Sequence, residues 1–152
     1  MSLPPKDLSV LKMYYEAGVN EIGFNLEIFD QDTAANYMPG KGAISRQEYF
    51  MALKEAVRYW GNTGKVRSLM IVGLESEDSL LQGIRELCQI GVMPILSVFR
   101  PIPGTETENI VPPSNEVLQK IYKKATMICE EFSLHLGPEC SFCQNNTLSL
   151  PF

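Results

Sequence analysis

The hydrophobic positions follow two periods, and the period switches repeatedly along the chain. Leu8 to Tyr15 has the spacing of a helix that ends at Gly18. Val19 to Phe29 is an apolar, strand-like run. Ser45-Arg-Gln-Glu48 has the form of a capping box, a serine N-cap with a glutamate three residues on. It predicts a helix whose Tyr49, Phe50, Leu53, Ala56, Val57 and Trp60 recur at three and four, so one face is buried. Val66 to Leu74 is a second strand, followed by a helix with Leu80, Leu81, Ile84, Leu87 and Cys88 on one side. Val92 to Phe99 is a third strand. Ser114, after Pro112-Pro113, starts a last helix with the stripe Val117, Leu118, Ile121, Ala125, Ile128, Cys129 and Phe132. Leu134 to Leu136 is read as a short fourth strand.

Strands alternating with helices of this length predict an α/β fold: repeated βα units and a parallel sheet of about four strands. Runs such as Leu69-Met-Ile-Val72 are almost continuously apolar, which predicts strands covered on both faces. Ala17-Gly-Val-Asn-Glu-Ile22 echoes Ile90-Gly-Val-Met-Pro-Ile95. In each, the glycine should end a helix in the left-handed conformation just before a strand. The longest stretches read as irregular are Asp30 to Ala43 and Arg100 to Pro113. Loops of that length in a compact domain are usually functional. No domain boundary is visible, so residues 1–152 read as a single domain.

Composition narrows the function classes. The net charge is −5, with 13 basic and 18 acidic residues, which argues against a broad nucleic-acid surface. No apolar run is long enough for a transmembrane helix. The opening Met-Ser-Leu-Pro-Pro lacks the basic-then-apolar build of a secretory signal. Four cysteines, of which only Cys140 and Cys143 form a close pair, do not make a secreted disulfide framework, so the expected compartment is the cytoplasm. The single histidine, His135, excludes sites built from several histidines of this chain.

In parallel α/β folds ligands bind at the carboxyl ends of strands. Asn25 and Glu27, two residues apart, should project from one strand face. Together they suit a diol such as a ribose; alternatively Glu27 is solvated and Asn25 caps a turn. Arg46 falls in the first turn of its helix, where a cation opposes the helix dipole. It either holds a carboxylate or faces solvent. Gly73 ends the second strand and would let a flat ring approach the main chain, or it is a plain turn. Pro39-Gly-Lys-Gly42 lacks the P-loop spacing and reads as a flexible crossover. Arg100-Pro-Ile-Pro-Gly-Thr105 is a stiff turn whose arginine reaches into the site or pairs with an acid.

Cys140-Ser-Phe-Cys143 suits two thiolates on one metal or cluster, or a redox dithiol, or two free thiols. The pair is incomplete by itself as a structural zinc site, because the other candidate ligands are Cys88, Cys129 and His135 and the two cysteines read as core.

These strand ends, in order, resemble the C-terminal half of a radical S-adenosylmethionine enzyme of the biotin synthase-like group. Asn25-Leu-Glu27 is similar to the Asn-x-Asp of that family's fourth barrel strand. Ile71-Val-Gly-Leu-Glu75 is similar to the Ile-Val-Gly-Leu-Gly-Glu of its fifth, without the second glycine. Pro103-Gly-Thr105 is similar to the turn after its sixth. The resemblance spans roughly residues 8–105 and implies half of a TIM-type (β/α) barrel. It implies that Asn25 and Glu27 contact the ribose of S-adenosylmethionine or the substrate, and that Arg46 holds the methionine carboxylate. Ile71, Val72 and Gly73 would flank the adenine. The family's Cys-x3-Cys-x2-Cys motif, which holds a 4Fe-4S cluster, is absent from all 152 residues.

The sequence therefore reads as a C-terminal half-barrel, with a small-molecule substrate and a missing N-terminal half-barrel as partner. By itself it is expected to be inactive. The tail at 137–147, which does not match biotin synthase, leaves an auxiliary cluster or zinc at Cys140 and Cys143 open. An open half-barrel also predicts a homodimer, or rearrangement to a compact open sheet. The alternative reading is a stand-alone α/β binding or scaffold domain with a metal-binding tail. An aldolase or phosphate-binding isomerase ranks last, for want of a mid-strand lysine or a glycine-rich phosphate cradle.

Overall fold

The computed structural model describes residues 4, 6–138 and 147–148. Helix starts follow the side chains that can satisfy the first free N–H groups. In α4 (Arg46–Trp60) the Ser45 side chain accepts the N–H of Glu48, and the Glu48 carboxylate accepts the N–H of Ser45. Helix α5 (Glu77–Gln89) is capped by Ser76 and carries Glu77 and Asp78 in its first turn, where the helix dipole favours acids. Helix α6 (Asn115–Glu131) is capped by Ser114. Helix α1 (Val10–Glu16) precedes them all.

Helix ends repeat one device. Gly18 and Gly91 have φ of 83° and 81°, and the next residue donates back five positions: Val19 to Tyr14 and Val92 to Leu87, both at 3.0 Å. This is the Schellman arrangement that the sequence echo predicted. Ser133 makes a third case, at φ 57°, with Leu134 donating to Cys129 at 2.9 Å. Each of these turns delivers the chain towards the sheet.

The sheet has three parallel strands in the order β1 (Ile22–Gly23), β2 (Val66–Val72), β3 (Met93–Val98). Helix α4 packs on β2, α5 on β2 and β3, α1 on α4, and α6 on α5. The core between them includes Phe24, Leu26, Tyr49, Leu53, Met70, Ile84, Leu87 and Leu96, all fully buried. Each such side chain contributes about 1.5–3 kcal/mol by leaving water. Among the described residues no helix is long and apolar enough to cross a membrane.

Four expectations are corrected. First, the run 19–29 is not one strand. Ile22 and Gly23 pair with Val66 and Arg67, but the next bridge joins Glu27 to Met70, so four steps on one strand answer three on the other. The extra residue breaks the ladder, and the Leu26 N–H turns to the Ser68 hydroxyl at 3.0 Å. Second, among the described residues β2 is fully buried on one face and only partly covered on the other. Burial alternates strictly along β2, and residues 22–28 follow the same period. Leu69 and Ile71 can be half-exposed because a methylene-rich face still gains from partial cover.

Third, the fourth strand is a single parallel bridge, Gly137 to Ile95. Fourth, the stretch 30–43 is not irregular. Asp30 caps α2 (Gln31–Tyr37) by accepting the Thr33 N–H at 2.8 Å, and Pro39 opens the single-turn α3 (Pro39–Gly42). Proline suits a first helical position because its missing N–H would be unpaired there anyway. The stretch 100–113 does contain turns without a helix or strand.

Candidate functional site

The open face of the sheet and the carboxyl ends of its strands form one surface. Gly23, Asn25 and Glu27 lie along its first edge, Arg67, Leu69 and Ile71 along the middle, and Ile95 and Ser97 along β3. A pocket of about 230 Å3 on this face is lined by Glu21, Ile22, Gly23, Asn25, Arg67 and Ile95, towards the amino ends of the strands and short of Glu27. A larger one, about 470 Å3, adjoins it at the amino ends of the strands, among Glu21, Thr63, Lys65, Arg67 and His135. In βα folds the carboxyl ends, not the amino ends, carry the chemistry, so size does not select the site here.

Glu27 is the focal residue. Its φ is 67°, a left-handed conformation that a non-glycine residue adopts only at a cost. The neighbours over-determine it. Its N–H donates to Leu69 O at 2.8 Å and its carbonyl accepts the Ile71 N–H at 2.7 Å. The Ile28 N–H turns back to Leu26 O at 2.9 Å, closing a three-residue turn around it. Its carboxylate forms an ion pair with the ammonium of Lys41, and both side chains are mostly buried, 16% and 22% exposed.

Arg46 lies behind that turn. Its Nη1 donates to Ile28 O, and contacts Leu26 O at 3.5 Å. Its Nη2 donates to Ile44 O at 3.2 Å and contacts Lys41 O at 3.5 Å. The carbonyls on both sides of Glu27 therefore face one guanidinium. Arg46 also lies over the Tyr49 ring, 5.1 Å from the centroid, and burial draws its pKa below the ordinary value. Its Nε and the Tyr49 hydroxyl are buried without a hydrogen-bond partner among the described residues. Burial pushes the Tyr49 phenol up.

Two side chains that the sequence reading did not single out complete the scaffold. The Gln31 amide donates to Gly42 O at 2.5 Å and accepts the Arg46 N–H at 3.0 Å, joining α2, α3 and the start of α4. Glu75 accepts the N–H groups of Phe29 and Asp30 at 2.9 and 3.0 Å and the Ser79 hydroxyl at 2.6 Å. Lys41 lay in a segment read as a crossover, and its partner is 14 residues back, beyond any local spacing rule.

The structure brings Asn25, Glu27 and Ile71 together on the open face. It does not bring all the sequence candidates there. Val72 is 1% exposed and points into the core. Gly73, at φ 112°, meets Pro113: an added Cβ would lie 2.6 Å from the proline Cγ. Arg46 is committed to main-chain oxygens. Arg100 is exposed. Cys140 and Cys143, the candidate zinc or cluster ligands, lie outside the described residues. Among the described residues no three His, Cys, Asp or Glu side chains gather as metal ligands. Cys88 and Cys129 are core residues, with their sulfurs 3.8 Å apart.

No protein-family model matches the chain. It is similar to a bacteriochlorophyllide c C-7(1)-hydroxylase of Chlorobaculum limnaeum, 30% identical over 122 residues. The match takes in 80% of this chain, which spans only 30% of that relative's length.

Proposed function

We propose that this chain is one part of a larger radical S-adenosylmethionine enzyme, of the biotin synthase-like group, and supplies a nucleoside-binding face. The observation that carries this reading is Glu27, held in a strained conformation at the carboxyl end of the first strand with its carboxylate at the open face. Strain of this kind concentrates at functional sites. The similarity to the Chlorobaculum hydroxylase supports a radical S-adenosylmethionine relationship. Parallel strands in the order β1-β2-β3 are also the order of a (β/α) barrel, so a half-barrel completed by another segment of the larger protein is consistent with the sheet.

In this reading the Glu27 carboxylate accepts the hydroxyls of a ribose, and the Asn25 amide, one alternation away, helps to orient it. Leu69 and Ile71 give the apolar floor for a purine. The described residues do not fit a four-iron cluster, since neither the cysteine motif nor another ligand group is present. That cluster belongs to another part of the larger protein in this reading, and the chain alone is no catalyst.

Titration of the chain with S-adenosylmethionine, followed by amide NMR shifts, tests the reading. Binding is expected to be weak, near ~1 mM or about −4 kcal/mol, because one wall of the site is supplied elsewhere. Asn25→Ala and Glu27→Ala should each remove it. Shifts that persist in both variants, or no shifts in the unaltered chain, would overturn the site.

A further inference from the structure

The two cavities at the amino ends of the strands share one wall, the pair Glu21 and Arg67. The main chains beneath it are fixed: the Ile22 N–H donates to Lys65 O at 2.9 Å and the Phe24 N–H to Arg67 O at 3.2 Å. Across the ladder from Arg67 is Gly23, where a Cβ would lie 3.7 Å from Arg67 Cβ. The missing side chain keeps the space beside the arginine stem open. The whole chain carries a net charge of −5, yet here two cations, Lys65 and Arg67, face one acid.

The donors at this wall are under-used. Arg67 forms an ion pair with Glu21 through Nη2, while its Nε is buried without a hydrogen-bond partner among the described residues. A guanidinium is a fork of N–H groups suited to two oxygens of one oxyanion. The Lys65 ammonium makes no hydrogen bond or ion pair among the described residues. The main-chain N–H groups of Thr63, Gly64 and Lys65 likewise have no acceptor among them. Gly64 is buried at φ 74°, and a Cβ there would meet Met93 Sδ at 3.4 Å and His135 Cε1 at 3.6 Å. Successive N–H groups around a left-handed residue make a concavity for anions. Of the ion pair, the Arg67 side chain is 21% exposed and that of Glu21 52%, so the acid is the partner free to leave.

We infer that the amino ends of the strands form a second binding site, for a small molecule bearing a phosphate monoester, in which Glu21 is a built-in competitor. The phosphate takes the guanidinium of Arg67, the ammonium of Lys65 and the N–H groups of the 63–65 loop, and Glu21 swings to solvent. With Glu21 gone, two positive charges meet a group of about −1.5 to −2. The cavity of about 470 Å3 is larger than a phosphate needs and leaves room for the organic part of the ligand. Glu27 is at the other end of the sheet, so this site goes beyond the nucleoside reading and stands or falls apart from it.

The test is amide NMR titration of the full chain with inorganic phosphate above neutral pH, at ionic strength held constant with chloride. Saturable shifts are expected at residues 63–67, with a Kd on the order of 1 mM. Glu21→Gln, an isosteric change at a half-exposed side chain, should tighten phosphate binding by about tenfold, because the internal competitor is gone. Lys65→Met should weaken it by about tenfold. Succinate, whose two carboxylates are set apart, should bind more weakly than phosphate. An ion pair that serves the fold alone predicts otherwise: Glu21→Gln would lower stability and bring no gain in binding. Unchanged or weaker phosphate binding in Glu21→Gln, equal affinity for succinate, or shifts that grow without saturating would each overturn the site.

Discussion

The carboxylate of Glu75 accepts the main-chain N–H of Asp30 at 3.0 Å, while its other oxygen takes the N–H of Phe29. A residue after the second strand thus fixes the turn after the first, from which α2 starts. Glu75→Ala leaves two part-buried N–H groups without their acceptor. Hydrogen bonds to charged groups are worth about 1.5–3 kcal/mol, and that is the expected loss of stability in urea unfolding. Glu75→Gln, which retains an oxygen, should cost less. Hydrogen exchange at residues 29–37 should quicken in Glu75→Ala before it quickens in α5.

Gly83 lies in the middle of α5, where alanine would ordinarily be favoured by about 1 kcal/mol. Here its Cβ would come within 2.7 Å of Phe29 Cβ and 3.0 Å of Met70 Cε. The first is the rigid end of a side chain, so α5 or the turn at Phe29 must move. Overpacking typically costs about 1–3 kcal/mol, which outweighs the propensity gain. Gly83→Ala should lower the urea midpoint. A higher midpoint would mean that the helix packs less closely than described.

Tyr49 tests the opposite sign. Its ring is fully buried and its hydroxyl has no partner among the described residues. Tyr49→Phe keeps the ring over Arg46 and removes a polar group that gains nothing. The variant should be at least as stable as the parent, by up to about 1–3 kcal/mol. A loss of that size in thermal unfolding would reveal a hydrogen-bonded water at the hydroxyl.

Surface carboxylates held below their usual range contribute to the acid limb of stability. Hydrogen bonds from Lys120 and Lys124 hold Glu77 below the usual range, the main-chain bond at Ser45 does so for Glu48, and Arg85 for Glu131. In the unfolded chain these groups return to ordinary values, so it binds more protons in that window. Stability is therefore full above the normal carboxylate range and declines as pH falls through the lowered values. Glu77→Gln should shorten this decline, and added salt should compress it, because these pairs are solvent-exposed. An unchanged acid limb in Glu77→Gln would count against the α5–α6 ion pairs.

Cys88 and Cys129 face each other within the core. The neighbouring thiol and burial both push the Cys88 pKa up, which suppresses the nucleophilic thiolate. Peptide mapping after alkylation should find positions 88 and 129 unmodified in the folded chain and modified in denaturant. Rapid native labelling at Cys88 would mean that α5 and α6 separate readily.

The periods of the hydrophobic pattern determined most of the elements. The serine caps at 45, 76 and 114 and the glycine stops at 18 and 91 are local chemistry, and each marks a helix end in the structure. The pairing of Asn25 with Glu27 on one face was also legible, because side-chain alternation is a local property of a strand. What lay beyond the sequence depended on contacts between distant residues. The extra residue near Glu27 appears only when its strand is laid beside Met70, since register is a relation between two strands. The sequence pattern cannot distinguish a strand covered on both faces from one with a half-exposed apolar face, and the placement of the helices settled that. Arg46 was recognisable as a cation in an unusual helical position. Only the tertiary structure turned it towards the carbonyls of Leu26 and Ile28, 20 and 18 residues away, and paired Lys41 with the carboxylate of Glu27. Local signals fix backbone conformation, while the partner of a long charged side chain is chosen by whatever the fold carries within its reach.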